Sequence, residues 1–149
     1  MQQTVAYISF NGQCVDAFQF YAETLGGSVE SVLLFSDCTR QEHFPMAQAK
    51  QVRHAVLQLE GLTLLGCDSP PAPIRASGHR HALSIDFRCG QRGMTAFMAL
   101  AKDGLVITSF QSMGAAKGVG TVIDQFGILW TVSKSTTPIA EVENIQWSV

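Results

Sequence analysis

The side chains best suited to chemistry in this chain are its four histidines, four cysteines and 12 acidic residues, and their spacing brings few of them together. A divalent metal needs three or four imidazole, carboxylate or thiolate donors converging on one point. His43, His54, His79 and His81 are scattered, and only the run His79-Arg80-His81 places two of them close in sequence. That run reads first as a solvated approach to a strand, with His81 on the same alternating face as Leu83 and Ile85. His81 is therefore the single candidate metal ligand, and otherwise no metal is expected. Cys14, Cys38, Cys67 and Cys89 form no CxxC pair. They are expected to be reduced, buried or half-buried thiols, none in a context that lowers its pKa. No Gly-x-Ser-x-Gly turn offers a serine nucleophile. Of the carboxylates, Asp86 points away from the face of Ile85 and Phe87, and Asp124 stands beside a hairpin turn that it is placed to brace. No residue can be assigned a catalytic role from these patterns.

The segment Gly114-Ala115-Ala116-Lys117-Gly118-Val119-Gly120 has the composition of a phosphate-binding loop. Such a loop follows a strand and opens a helix, so that the helix N-terminus faces the phosphate. This one precedes a strand. It is read as a connection with a solvated Lys117, and no nucleotide or methyl-donor cofactor is expected. The net charge of −2, from 10 basic and 12 acidic residues without clusters, argues against nucleic acid and anionic membrane surfaces as partners. No apolar run reaches the roughly 18 residues of a spanning helix, and no basic-then-apolar leader opens the chain. A cytoplasmic protein is the expectation.

The elements that must position these residues occur twice. Val5 to Gly27 reappears as Ala82 to Gly104 at a constant offset of 77 (82 minus 5), matching Ile8 with Ile85, Phe10 with Phe87 and Phe20 with Phe97. Ala17 and Tyr21 fall on Met94 and Met98 under the same shift. A later pair, Gly61 to Leu65 against Gly127 to Thr131, matches at an offset of 66 (127 minus 61). The first copy thus carries about eleven extra residues, placed within the polar stretch Ser36 to Gln51.

Each copy reads as strand, helix, strand and hairpin. The first comprises Val5 to Phe10, a helix with Ala17, Phe20, Tyr21 and Thr24 on one face, Val29 to Phe35, then His54 to Leu59 and Leu62 to Cys67 around Glu60-Gly61. The second comprises Ala82 to Phe87, a helix near Arg92 to Lys102 with Met94, Phe97, Met98 and Ala101 on one face, Leu105 to Phe110, and hairpin strands Thr121 to Gln125 and Ile128 to Ser133. Asp68-Ser69-Pro70-Pro71-Ala72-Pro73 breaks both helix and ladder. We expect a single domain over residues 1–135, made of modules at about 4–68 and 81–134 with a linker at 69–80. A tail at 136–149 contains Ile145 and Trp147.

Tyr7-Ile8-Ser9-Phe10-Asn11-Gly12, Ala17-Phe18, Phe20-Tyr21, Leu25-Gly26-Gly27 and the closing Asp124-Gln125-Phe126-Gly127-Ile128-Leu129-Trp130 together resemble the PhnB-like branch of the vicinal oxygen chelate superfamily. His54-Ala55 and Asp68 also look like that branch. The superfamily includes glyoxalase, bleomycin-resistance proteins and extradiol dioxygenases. The resemblance implies an α+β fold of paired βαβββ modules, forming an open barrel-like sheet with helices outside and a cleft inside. It also implies metal-ligand positions at Ala6, Leu65, Leu83 and Thr131. Three aliphatic side chains and one hydroxyl do not hold a divalent ion, so neither metal nor other cofactor is expected. The ubiquinone-pathway methyltransferase label that some relatives carry gains no support from these residues.

The cleft wall implied by the alignment is Ala6, Ile8 and Phe10, Leu65 and Cys67, Leu83, Ile85 and Phe87, and Leu129, Thr131 and Ser133. Such a wall suits a small apolar molecule as ligand. The expected function is binding of that molecule in a metal-free cleft, in a protein that forms a homodimer as superfamily members commonly do. The alternatives are a metal-dependent lyase or isomerase, another enzyme of the superfamily, and an interaction module whose cleft is filled.

Overall fold

The computed structural model describes residues 5–37, 48–68, 82–112 and 118–134. The expected linker, the tail, and His43, His79, His81 and Lys117 lie outside them. The chain divides into two compact units, Met1–His79 and Arg80–Val149. The first contains β1 (Val5–Phe10), α1 (Cys14–Leu25), β2 (Gly27–Leu34), a short 3-10 turn (Phe35–Asp37), β3 (Val52–Leu59) and β4 (Leu62–Asp68). The second contains β5 (Ala82–Phe87), α2 (Gly90–Ala101), β6 (Leu105–Ser112), β7 (Gly118–Ile123) and β8 (Leu129–Lys134). Each unit is a βαβββ module, so the chain is α+β with its module repeated.

The two sheets share one topology, β1-β4-β3-β2 and β5-β8-β7-β6. In both, the first strand lies parallel to the last and the other pairings are antiparallel. A parallel neighbour needs a crossover connection, which each helix begins. The turn that follows each helix repeats in detail. Gly26 and Asp103 occupy the left-handed region at φ 76° and 57°, and the glycine after each sits against a hairpin-strand carbonyl. A Cβ on Gly27 would collide with the Gln58 carbonyl oxygen, and one on Gly104 with that of Ile123.

In the first module α1 buries Cys14, Ala17, Phe18, Tyr21 and Leu25. Beneath it lie Ile8 and Phe10 of β1, Leu64 and Gly66 of β4, and Ala55, Leu57 and Leu59 of β3, all buried. Phe18 packs edge-on against Phe10 at a ring-centroid distance of 5.9 Å, and Gly66 admits it because a Cβ there would lie 2.5 Å from the Phe18 ring. In the second module α2 buries Gly93, Ala96, Phe97 and Leu100 over Val122, Trp130 and Val132. Gly120 makes the matching allowance for Phe97, 2.7 Å from where its Cβ would stand.

The helix faces depart from the uniform offset. Ala17 and Tyr21 are fully buried, whereas Met94 and Met98, their expected counterparts, are 39% and 65% exposed. The buried stripe of α2 therefore starts at Gly93 and does not include the two methionines. Strand β2 is bulged. A register shift between Val29 and Ser31 pairs Val29 with Leu57 but Ser31 with Val56 and Leu33 with His54. Such a bulge moves later residues to the opposite face, so Val29 does not share one side with Ser31 and Leu33.

Candidate functional site

Each sheet has one face beneath its helix and one helix-free face, and register assigns residues to them. In the parallel pair of the first module, Tyr7 stands beside Leu65 and Ser9 beside Cys67. Ala6, Ile8 and Phe10 stand beside Leu64, Gly66 and Asp68, on the side that α1 covers. The expected cleft wall is therefore corrected: Ala6, Ile8 and Phe10 are not on one face with Leu65 and Cys67. In the second module Leu83, Ile85 and Phe87 stand beside Trp130, Val132 and Lys134 under α2, while Leu129, Thr131 and Ser133 accompany Ala82, Ser84 and Asp86 on the helix-free face. Strand side chains alternate with period two, and the core claims the apolar set. The polar alternates Tyr7, Ser9, Ser84 and Asp86 were the overlooked signal.

The helix-free faces carry matched polar pairs. Ser9 Oγ lies 3.7 Å from Cys67 Sγ, and the Tyr7 hydroxyl also hydrogen-bonds Cys67, which holds the phenol above its ordinary pKa of 10.0, with burial adding to the effect. At the corresponding register in the second module, Ser133 Oγ donates to Asp86 Oδ1 at 2.7 Å. Tyr7 remains 51% exposed and Val5 42%, beside half-buried Leu65, Val56 and His54. The arrangement offers hydrogen-bonding groups at one end of each parallel strand pair, with an aromatic surface from Tyr7 in the first module.

The inherited metal positions do not form a donor set. Ala6 and Leu83 lie under the helices, and the helix-free residues at their level are Tyr7 beside Leu65 and Ser84 beside Thr131. A phenol, an alkyl group and two alcohols lack the imidazole, carboxylate or thiolate donors a divalent ion requires. Among the described residues no three of His, Cys, Asp and Glu stand close enough to hold an ion. No chemistry is routed through a metal here.

Two aspartates that marked the resemblance are braces. Asp68 accepts the Cys14 N–H at 3.0 Å through Oδ1 and the Val52 N–H at 2.9 Å through Oδ2. It thereby caps α1, whose own N-cap Gln13 makes no side-chain cap bond, and its charge suits a helix N-terminus. Asp124 accepts the Phe126 and Ile128 N–H groups at 2.8 and 3.0 Å and the Trp130 indole N–H at 2.8 Å. Gly127 takes φ 85° within that turn, which explains the Asp-x-Phe-Gly-x-x-Trp order physically.

The thiols differ sharply. Cys14 is fully buried, and burial, reinforced by the Asp68 charge and Cys67, pushes it from 9.0 up to about 12. As pH climbs above 9 the unfolded chain ionises this thiol while the folded chain does not, so stability is present below pH 9 and falls toward pH 12. Urea melts across pH 8–11 are expected to show this decline, shallower in Cys14→Ala. Cys89 contradicts the expectation that no thiol is activated. It is exposed at the N-cap of α2, and the Arg92 and Gln91 backbone N–H groups, aided by the Arg92 and Lys134 charges, lower its pKa. Iodoacetamide at pH 7.5 is expected to alkylate Cys89 at least about tenfold faster than Cys14, read by peptide mass spectrometry. Labelling of Cys14 first would contradict both assignments.

No family model matches the chain. It is 27% identical over 135 residues to Protein YjdN of Escherichia coli (strain K12), covering 85% of this chain and 91% of that protein. Protein PA1353 from Pseudomonas aeruginosa superposes with a TM-score of 0.78 at 29% identity, covering 91% of this chain and 98% of the other. The PhnB protein from Bacillus cereus (TM-score 0.67, 20% identity, 90% and 100% covered) shares the fold. So does a glyoxylase/bleomycin resistance protein/dioxygenase domain from Frankia sp. EAN1pec (0.61, 12%, 91% and 98%). No helix among the described residues is long and apolar enough to cross a membrane. With its repeated βαβββ module, the chain shares the fold of PhnB-like and glyoxalase/bleomycin resistance/dioxygenase domain proteins.

Proposed function

We propose that this protein binds a small apolar or aromatic molecule on the helix-free face of its sheets, without a resident metal, as a binding protein of the glyoxalase and bleomycin-resistance kind. The observation that carries the reading is the repeated pair, Ser9 beside Cys67 and Asp86 beside Ser133, at equivalent register. A duplicated core requires repeated apolar positions; it does not require hydrogen-bonding side chains repeated on the face the helix leaves uncovered. Tyr7 adds a flat amphipathic surface, the type of group that gives large contact area with a polar handle. Fold alone does not confer a reaction, and the donor set argues against the superfamily's metal chemistry. A homodimer in the cytoplasm completes the proposal.

Native mass spectrometry of the purified protein is expected to find a co-purified small molecule. Tyr7→Ala and Ser9→Ala are expected to weaken its retention at least about tenfold while leaving the melting temperature within a few degrees, because both residues are exposed. Thermal shifts with nickel, zinc, manganese and iron(II) are expected to be absent. Stoichiometric metal, or undiminished ligand in both variants, would overturn the reading. Sedimentation velocity tests the dimer.

A further inference from the structure

The helix-free face of the second sheet is graded in polarity. Ser84 stands beside Thr131, Thr131 beside Thr121 and Thr121 beside Thr108, so one row of hydroxyl side chains crosses β5, β8, β7 and β6. Three strand spacings make that row about 14 Å wide. Ser84 and Thr108 are exposed, and Thr121 and Thr131 are half-buried. One step along the face, about 7 Å away, lies an apolar row of Leu129, Ile123 and Leu105. One step the other way stands Asp86, held by Ser133, and it is the sole charge among these side chains. The repeated fold does not impose this pattern. The corresponding row of the first module, at the offset of 77 (84 minus 7 and 108 minus 31), runs Tyr7, Leu65, Val56 and Ser31, with aliphatic groups at its centre.

We infer that the second module's face takes an amphiphile whose polar end carries several hydroxyl groups, a polyol or a glycosylated molecule, with its apolar part over Leu129, Ile123 and Leu105. The inference rests on the reading of the helix-free faces as binding surfaces and names the ligand class for one of them. A wholly apolar ligand covering this face strips water from a carboxylate and from the row of hydroxyls and returns no hydrogen bond, which is costly. Each serine or threonine hydroxyl donates one hydrogen bond and accepts two, whereas a carboxylate only accepts. Ligand hydroxyls meet both demands. An ammonium group only donates, so it suits Asp86 but leaves the donors of Ser84, Thr131, Thr121 and Thr108 unmatched.

The test is a titration of the isotope-labelled full chain with n-octyl β-D-glucoside below its micelle concentration, read from backbone amide shifts. Saturable shifts over 82–86, 119–123 and 129–133 are expected, and octylamine is expected to bind at least about tenfold more weakly. Thr131→Val keeps the shape and removes one hydroxyl, and is expected to weaken glucoside binding about fivefold; Asp86→Ala is expected to weaken it at least about tenfold, because bonds to a charged group are stronger. Shifts that do not saturate, octylamine binding as tightly as the glucoside, or unchanged affinity in both variants overturns the inference. Asp86 is exposed, so Asp86→Ala stays decisive if Thr131→Val fails to fold. Should the glucoside fail while Tyr7→Ala still releases a co-purified molecule, the hydroxylated ligand is overturned and the broader binding reading stands; failure of both overturns the two together.

Discussion

Asp124→Asn is expected to lower the unfolding free energy by about 3–5 kcal/mol in urea melts, a large fraction of the roughly 5–15 kcal/mol of an ordinary domain. The carboxylate is 3% exposed and accepts from two backbone N–H groups and the Trp130 indole. A hydrogen bond to a charged group contributes about 1.5–3 kcal/mol, and burying an unsatisfied donor costs a further share. Asparagine keeps the shape but provides one acceptor oxygen, and its NH₂ must then face either an N–H of the backbone or the indole. Trp130 is 1% exposed and sits beneath α2 in β8, so the turn and the core are coupled through one side chain. A double-mutant cycle of Asp124→Asn with Trp130→Phe is expected to give a coupling of about 1–2 kcal/mol. Additivity, or a loss below about 1 kcal/mol in Asp124→Asn, would show that the turn is held by something else.

Gly27→Ala and Gly104→Ala are each expected to cost about 3 kcal/mol, and to cost nearly the same. The added methyl meets the Gln58 carbonyl oxygen in one module and the Ile123 carbonyl oxygen in the other. Both obstacles are backbone atoms in hairpin strands, so relief requires moving the strand and with it the sheet register. Gly61→Ala is the control. It has φ 77° and open space around its Cβ position, so it pays only the left-handed penalty of about 1–2 kcal/mol. Equal costs at 27 and 104, both above that of Gly61→Ala, establish the turn as a repeated device. A cost confined to one of them would leave the turns unrelated in energy.

The repeat itself was legible because its signals are local. A short β-branched run ended by Asn11-Gly12, a helix stopped by Gly26-Gly27 and a two-residue hairpin at Glu60-Gly61 each depend on near neighbours, and the structure places strands β1 and β5 at Val5–Phe10 and Ala82–Phe87 as read. The bracing role of Asp124 was legible for the same reason, since its turn partners lie two and four residues away. Asp68 was recognisable only as a motif residue. Its partners, Cys14 and Val52, are 54 and 16 residues distant, and nothing in the chain's order announces them.

Facing was decided by tertiary structure. A strand's alternation divides Val5–Phe10 into two sets but does not say which set the helix covers, and apolar residues suit a ligand surface and a core equally. Packing Phe18 over Gly66 settles the matter, turning Ile8 and Phe10 inward and leaving Tyr7 and Ser9 on the other side. Cys89 shows the same limit for chemistry. Its lowered pKa arises first from the backbone N–H groups of Arg92 and Gln91, and the charges of Arg92 and of Lys134, the latter far along the chain, add to it. Sequence thus determined the elements, their order and their duplication, because short-range sterics and hydrogen bonding dictate these. Only the packing of each helix on its sheet chose the face and the electrostatic surroundings, because those depend on groups that folding alone brings together.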